Sequence, residues 1–239
     1  MSWLTAIKTL LKLNKLDKHK TDIEKLHDFA IKAERLKKGK VKVTELKAFS
    51  DKTVNACKKS VAETAKAAKT AAKTQKDFPK TNSLPLYLVM DSALAKYGAT
   101  SPKFKKAEDN WRKELKSFDK KLGALYKELE KETGKLNKKA EDFEKMAEYC
   151  RKVSQIFQNL VKLPDFLAQR SGFLSLSRAI LGLAVKLSDL SDVYKDVEKK
   201  NAEHMGQIIK TKMTNSAWLK KKFKDSADMK RNQKADKPH

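Results

Sequence analysis

Between Phe104 and Val161 apolar residues return in steps of three and four, or of seven where one position is polar or skipped. The positions are Phe104, Trp111, Leu115, Phe118, Leu122, Leu125, Leu129, Leu136, Ala140, Phe143, Ala147, Cys150, Phe157 and Val161, with Thr133 and Ser154 in the same register. A spacing that averages 3.5 residues is the pattern of a coiled-coil seam. It predicts one helix about 85 Å long at 1.5 Å per residue. Gly123 and Gly134 are the places where such a helix would bend.

A second seam follows, through Phe173, Leu176, Ile180, Leu183, Leu187, Leu190, Tyr194 and Val197. About ten residues around Lys162-Leu163-Pro164-Asp165 separate the two. Two heptad segments with a short connector are expected to fold back on each other. The expected fold is all-α: an elongated helical bundle built on a long antiparallel coiled-coil hairpin, with arms at about 102–163 and 172–212. Only seven Gly and five Pro in 239 residues agree with long helices. The first seam therefore finds its partner in the same chain, leaving the outer helical surfaces as the route to a homodimer.

The expected boundaries follow from local signals. Residues 1–20 form a basic amphipathic N-terminal helix, with Trp3, Leu4, Ile7, Leu10 and Leu11 on one face and Lys8, Lys12 and Lys15 on the other. Trp and Leu opposite Lys suit a helix lying in a membrane interface, and the same periodicity suits a helix packed on a bundle. The bundle proper is expected over 21–225. Thr21-Asp22-Ile23-Glu24 is a capping box that would start the second helix, and Lys38-Gly39 would end it. A third helix runs from Thr44 to about Asp77, its seam shrinking to alanine. A short apolar helix at 84–97 is closed by Gly98, and Ser101-Pro102 caps the long helix. Ser216 is expected to cap a last short helix, and 226–239 to be a disordered basic tail, since it has no apolar period.

Lysine and arginine number 55 against 30 acidic residues, a net charge of +25. Such an excess attracts polyanions. Lys52, Lys59, Lys66, Lys73 and Lys80 recur every seven residues, with Lys69 and Lys76 beside them. This stripe is a candidate polyanion-binding track, although a solvated helix face has the same composition. No aromatic residue lies in it to stack on bases. A third candidate surface is the apolar connector end, formed by Phe157, Leu160, Leu163, Phe166, Leu167, Phe173, Leu174 and Leu181. Leu174, Leu181 and Val185 lie off the seam and give the second arm an extra apolar face.

No catalytic motif is present. His19, His27, His204 and His239 are scattered, the glycines form no phosphate loop, and Cys57 and Cys150 sit at apolar helical positions. The expectation is a protein that is not an enzyme, with no cofactor, metal or small-molecule substrate, its thiols reduced and buried. No segment of about 18 apolar residues is found. A cytoplasmic location, peripheral to the membrane, is expected, with leaderless export as the other route.

Three functions fit these features. The first is association with an anionic lipid membrane through the N-terminal helix and lysine-rich faces. In plan this resembles the N-BAR domains, which join an N-terminal amphipathic helix to long helices that dimerise into a basic surface. This chain divides into more and shorter helices than the three of that family. The resemblance implies lipid binding and dimerisation. The second is an α-helical pore-forming toxin or secreted effector that inserts its apolar connector end, although Arg170, Arg178 and Lys186 would have to be accommodated. The third is non-specific nucleic-acid binding or scaffolding through the lysine stripe.

Overall fold

The structure is a computed structural model that describes residues 3–12, 15–36, 42–74, 92–98 and 100–235, with 214–235 as backbone only. The protein is an all-α helical bundle, and no strand occurs among the described residues. Among the described residues its long helices are α1 (Trp3–Lys12), α2 (Lys15–Leu36), α3 (Val43–Thr74), α4 (Pro102–Leu160) and α5 (Arg170–Ala235). A 3-10 turn, Pro164–Gln169, links the last two.

Local chemistry sets several ends. The Ser101 hydroxyl accepts a hydrogen bond from the Lys103 N–H at 3.2 Å, and Pro102 follows at the first helical position. The helical stretch 92–97 stops where Gly98 takes φ +74 and donates its N–H to the Leu94 carbonyl. An L side chain is disfavoured there, so glycine closes the helix.

Two helix limits differ from the sequence expectation. α2 begins at Lys15, so the capping box at Thr21 lies inside a helix. The extra turn is held because Leu16 is buried and because Asp17 and Lys20 reach lysine and aspartate on α4. α5 passes through Ser216 and stays helical to Ala235, so neither the new cap nor a loss of structure from 226 is seen. Its last 29 residues after Gly206 hold neither Gly nor Pro. Lys, Ala, Met and Gln sustain a helix without an apolar period. The expected turn at Lys38-Gly39, the helix end at Asp77, and most of the apolar segment 84–97 lie outside the described residues.

The chain divides into two compact units. One joins 1–78 with 132–200, and the other joins 79–131 with 201–239. In the first unit α1 and α2 both pack on α3. Ile7, Leu10, Leu16, Ile23 and Leu26 are buried there with Leu46, Val54 and Cys57. The later part of α4 lies along the first part of α5. Ser154 meets Ser177, Ser188 meets Glu144, and Ser191 meets the Ala140 carbonyl. Numbers rise along one helix as they fall along the other, so these segments run in opposite directions.

The serines let the two backbones approach closely while keeping their own groups bonded. The Ser154 and Ser177 hydroxyls lie 2.9 Å apart, and each also reaches the other's carbonyl at 3.0 Å. Ser191 donates to the Ala140 carbonyl at 2.8 Å. Loss of that single buried bond in Ser191→Ala is expected to cost about 1 kcal/mol. Denaturant melts check it; an unchanged midpoint would show that the bond contributes nothing net.

At the turn, Phe173 stands edge-on to Phe157 at 5.1 Å and to Phe166 at 5.5 Å. Further along, Phe143 and Tyr194 make the same arrangement at 5.1 Å. His27 of α2 packs on Tyr149 of α4, ring centres 4.7 Å apart. Burial pushes this imidazole below its ordinary 6.5, and Asp28 at 3.8 Å only partly opposes the shift. The fold thus favours the neutral ring. Its contribution is complete above 6.5 and is lost as pH falls below that value, because the unfolded chain takes up the proton first. Thermal melts on the acid side of 6.5 are expected to fall less steeply for His27→Gln than for the native chain. Identical slopes would reject this account.

The second unit has a smaller core. Phe104, Trp111 and Leu115 of α4 are buried against Ala93, Leu94 and Phe118. Leu122, Leu129 and Ile208 are buried in the same unit. The ammonium groups of Lys96 and Lys103 lie over the Tyr97 ring, at 5.4 and 5.0 Å from its centre.

Candidate anion-binding site

The N-terminal helix does not present its apolar face. Ile7 and Leu10 are wholly buried, and Leu11 is 8% exposed. That face is occupied by α3, so in this conformation it cannot also enter a bilayer. Leu4 is half-buried, and the side chains of Trp3 and Lys15 are outside the described set. What α1 offers outward is its basic edge, Lys8 and Lys12.

Those two lysines line a cleft of about 810 Å³ in the first unit, which also takes in Lys20 of α2 and Lys135, Lys138 and Lys139 of α4. Asp17, Glu132, Asp142 and one apolar side chain, Leu11, complete the wall. Each carboxylate holds a lysine. Both oxygens of Asp17 accept from Lys139, at 3.0 and 2.9 Å. Asp142 accepts from Lys20 at 2.7 Å, and Glu132 from Lys135 at 3.0 Å. The Lys20 ammonium is raised above its ordinary range, first by the hydrogen bond to Asp142. Lys12 and Lys138 meet no carboxylate among the described residues. Six ammonium groups against three carboxylates leave a positive concavity.

Sequence reasoning named Lys8 and Lys12 but missed the other four lysines. The pairs that build the cleft are 122 residues apart, beyond any local pattern. One signal was readable. Lys131, Lys135 and Lys139 sit at i, i+4 spacing, which repels on an isolated helix. An acid from elsewhere in the chain, here Asp17, relieves it.

The stripe residues Lys52, Lys59, Lys66, Lys69 and Lys73 are all exposed on α3. None has an ion-pair partner among the described residues. Lys76 and Lys80 lie outside them. Because α3 has 3.6 residues per turn, a seven-residue repeat drifts slowly around it, so this track winds.

The apolar connector end is largely internal. Phe157, Leu160, Phe166 and Phe173 are core, and Leu163 and Leu174 are half-buried. Exposed there are Leu167 at 54%, Leu181 at 45% and Val185 at 55%. On α5, Leu181 and Val185 alternate with exposed Arg178 and Lys186, giving a narrow mixed strip. Beside it, the small side chains Ala62, Ala65 and Ala68 of α3 leave a shallow groove of about 270 Å³ against Leu190 and Val193.

Two other groups have the residue types of a reactive site. The His19 ring nitrogen Nε2 lies 3.0 Å from Ser60 Oγ, and Nδ1 lies 3.6 Å from Asp22. The residue types match a hydrolytic triad. Ser60 sits mid-helix and buried, however, where backbone N–H groups are already bonded along α3 and cannot stabilise an oxyanion. Cys57 and Cys150 are buried free thiols, and burial pushes both up to about 12. They are therefore protonated and poorly nucleophilic. No group of three or more metal-ligating side chains occurs among the described residues.

No protein-family model, curated protein or solved structure matches this chain. Among the described residues no helix is long and apolar enough to cross a membrane.

Proposed function

We propose that this chain is a non-enzymatic helical bundle that associates peripherally with anionic membrane surfaces. The observation that carries this reading is the exposed strip on α5, where Leu181 and Val185 stand beside Arg178 and Lys186. Apolar side chains among cations suit the boundary between headgroups and acyl chains. A nucleic acid would use the cations and leave the leucine in water. Exposed Leu167 next to Arg170 repeats the combination at the turn. The α3 lysines and the net charge of +25 add long-range attraction. While α1 is docked on α3, it takes part through Lys8 and Lys12 rather than through its apolar face.

Flotation with vesicles containing anionic lipid should recover the protein, with a yield that falls as salt rises. Zwitterionic vesicles should leave it behind. The double change Leu181→Ser, Val185→Ser should weaken recovery about tenfold by removing the inserted area. The proposal fails if anionic vesicles do not bind, or if duplex DNA at equal charge displaces them at physiological salt. Dye release from the vesicles would instead support insertion of the connector end.

A further inference from the structure

The cleft between α1, α2 and α4 differs in kind from the lysine track on α3. The track is exposed along a single helix, and none of its lysines has an ion-pair partner among the described residues. In the cleft, three lysines are fixed by carboxylates, and Lys139 is only 14% exposed along its side chain. An open track suits a diffuse surface charge, whereas a concavity with fixed ammonium groups suits a compact ligand. Its volume of about 810 Å³ is within the usual range for small-molecule sites.

We infer that this cleft binds a compact ligand carrying several phosphates on one small ring, either free or as the headgroup of a phosphoinositide. Taking a lipid as the source rests on the membrane reading above. The six lysines reach the cleft from three helices, α1, α2 and α4, so phosphates at different positions on one ring can meet different ammonium groups. Lys12 and Lys138 supply charge that no carboxylate in the cleft holds. Lysine is a point charge and imposes no bidentate geometry. Selectivity therefore follows the number of phosphates and not their arrangement on the ring. The three carboxylates set a threshold: a single phosphate cannot compete with Asp17 and Asp142 for their lysines, and several together can.

Calorimetry on the full chain at physiological salt would use inositol hexakisphosphate, an inositol trisphosphate and inorganic phosphate. Affinity should rise steeply with phosphate count, with isomers of one count alike. Lys12→Ala with Lys138→Ala should weaken hexakisphosphate binding about tenfold. Both side chains are exposed, so the fold should survive. Lys52→Ala with Lys59→Ala removes the same charge elsewhere and should change binding less than about twofold. Equal losses from the two pairs, or no hexakisphosphate binding by the native chain, overturn the inference. Vesicles carrying phosphatidylserine or a phosphoinositide, matched in surface charge, separate the sources. Tighter binding to the phosphoinositide vesicles, lost in the Lys12/Lys138 variant, supports the lipid headgroup. Soluble binding with no preference between the vesicles supports a free ligand. Soluble binding with no vesicle binding of either kind upholds the cleft and rejects the membrane reading.

Discussion

Phe173→Ala is expected to destabilise the first unit by about 3–5 kcal/mol, among the largest effects of any single truncation in this chain. Phe173 is fully buried and is the ring that both Phe157 and Phe166 face. Its removal takes away transfer energy, two edge-to-face contacts and the packing that sets the α4–α5 turn. The 3-10 turn cannot collapse to refill the space, because Pro164 fixes its entry. Denaturant unfolding followed by circular dichroism would read the loss. A change below about 1 kcal/mol would mean that the turn repacks freely, and the account of this end as core would be wrong.

The second large effect is expected from Leu10→Asp. Leu10 is wholly buried between α1 and α3. A carboxylate cannot remain there unpaired, and avoiding that state costs about 3 kcal/mol or more. The chain's cheapest response is to release α1 and leave the rest of the bundle in place. Limited proteolysis should then cut within residues 3–12 while α3 stays protected. Release frees the apolar face of α1, so the variant should bind anionic vesicles more tightly than the native chain despite its added negative charge. Unchanged protection of α1 would show that Leu10 is not the anchor. Weaker vesicle binding with α1 released would show that this face has no use for lipid.

The long-range skeleton was legible because it depends on periodicity alone. The seam residues Leu136, Ala140, Phe143, Ala147, Cys150 and Phe157 are buried, and α4 ends one residue before the seam's last position, Val161. Gly98 acts through its own backbone geometry and Ser101 through a hydroxyl that reaches two residues along the chain, so they too were readable. The start of α2 was not. Its first turn is kept by Asp17 and Lys20 meeting Lys139 and Asp142, and no local signal reports a contact 122 residues away. For the same reason the cleft was only half visible: Lys8 and Lys12 announce themselves on α1, while their companions on α4 look like an ordinary solvated face. Ser154 was seen to fall in register, but its match to Ser177 needs the helix pairing to be known first. The amphipathic N-terminus shows the reverse problem. Its pattern says that one face will be covered and does not say whether by protein or by lipid.

The first unit is assembled from two stretches of chain, 1–78 and 132–200. During synthesis the first stretch leaves the ribosome before its partners on α4 and α5 exist. At typical translation rates the wait is on the order of ten seconds. Through that interval α1 and α2 can pack on α3, while His27 has no Tyr149 to cover it and Asp17 and Lys20 lack their partners on α4. The newborn chain is therefore incompletely covered early, and the fourteen basic against seven acidic side chains of its first 52 residues give it a net positive charge that opposes association until the later helices arrive.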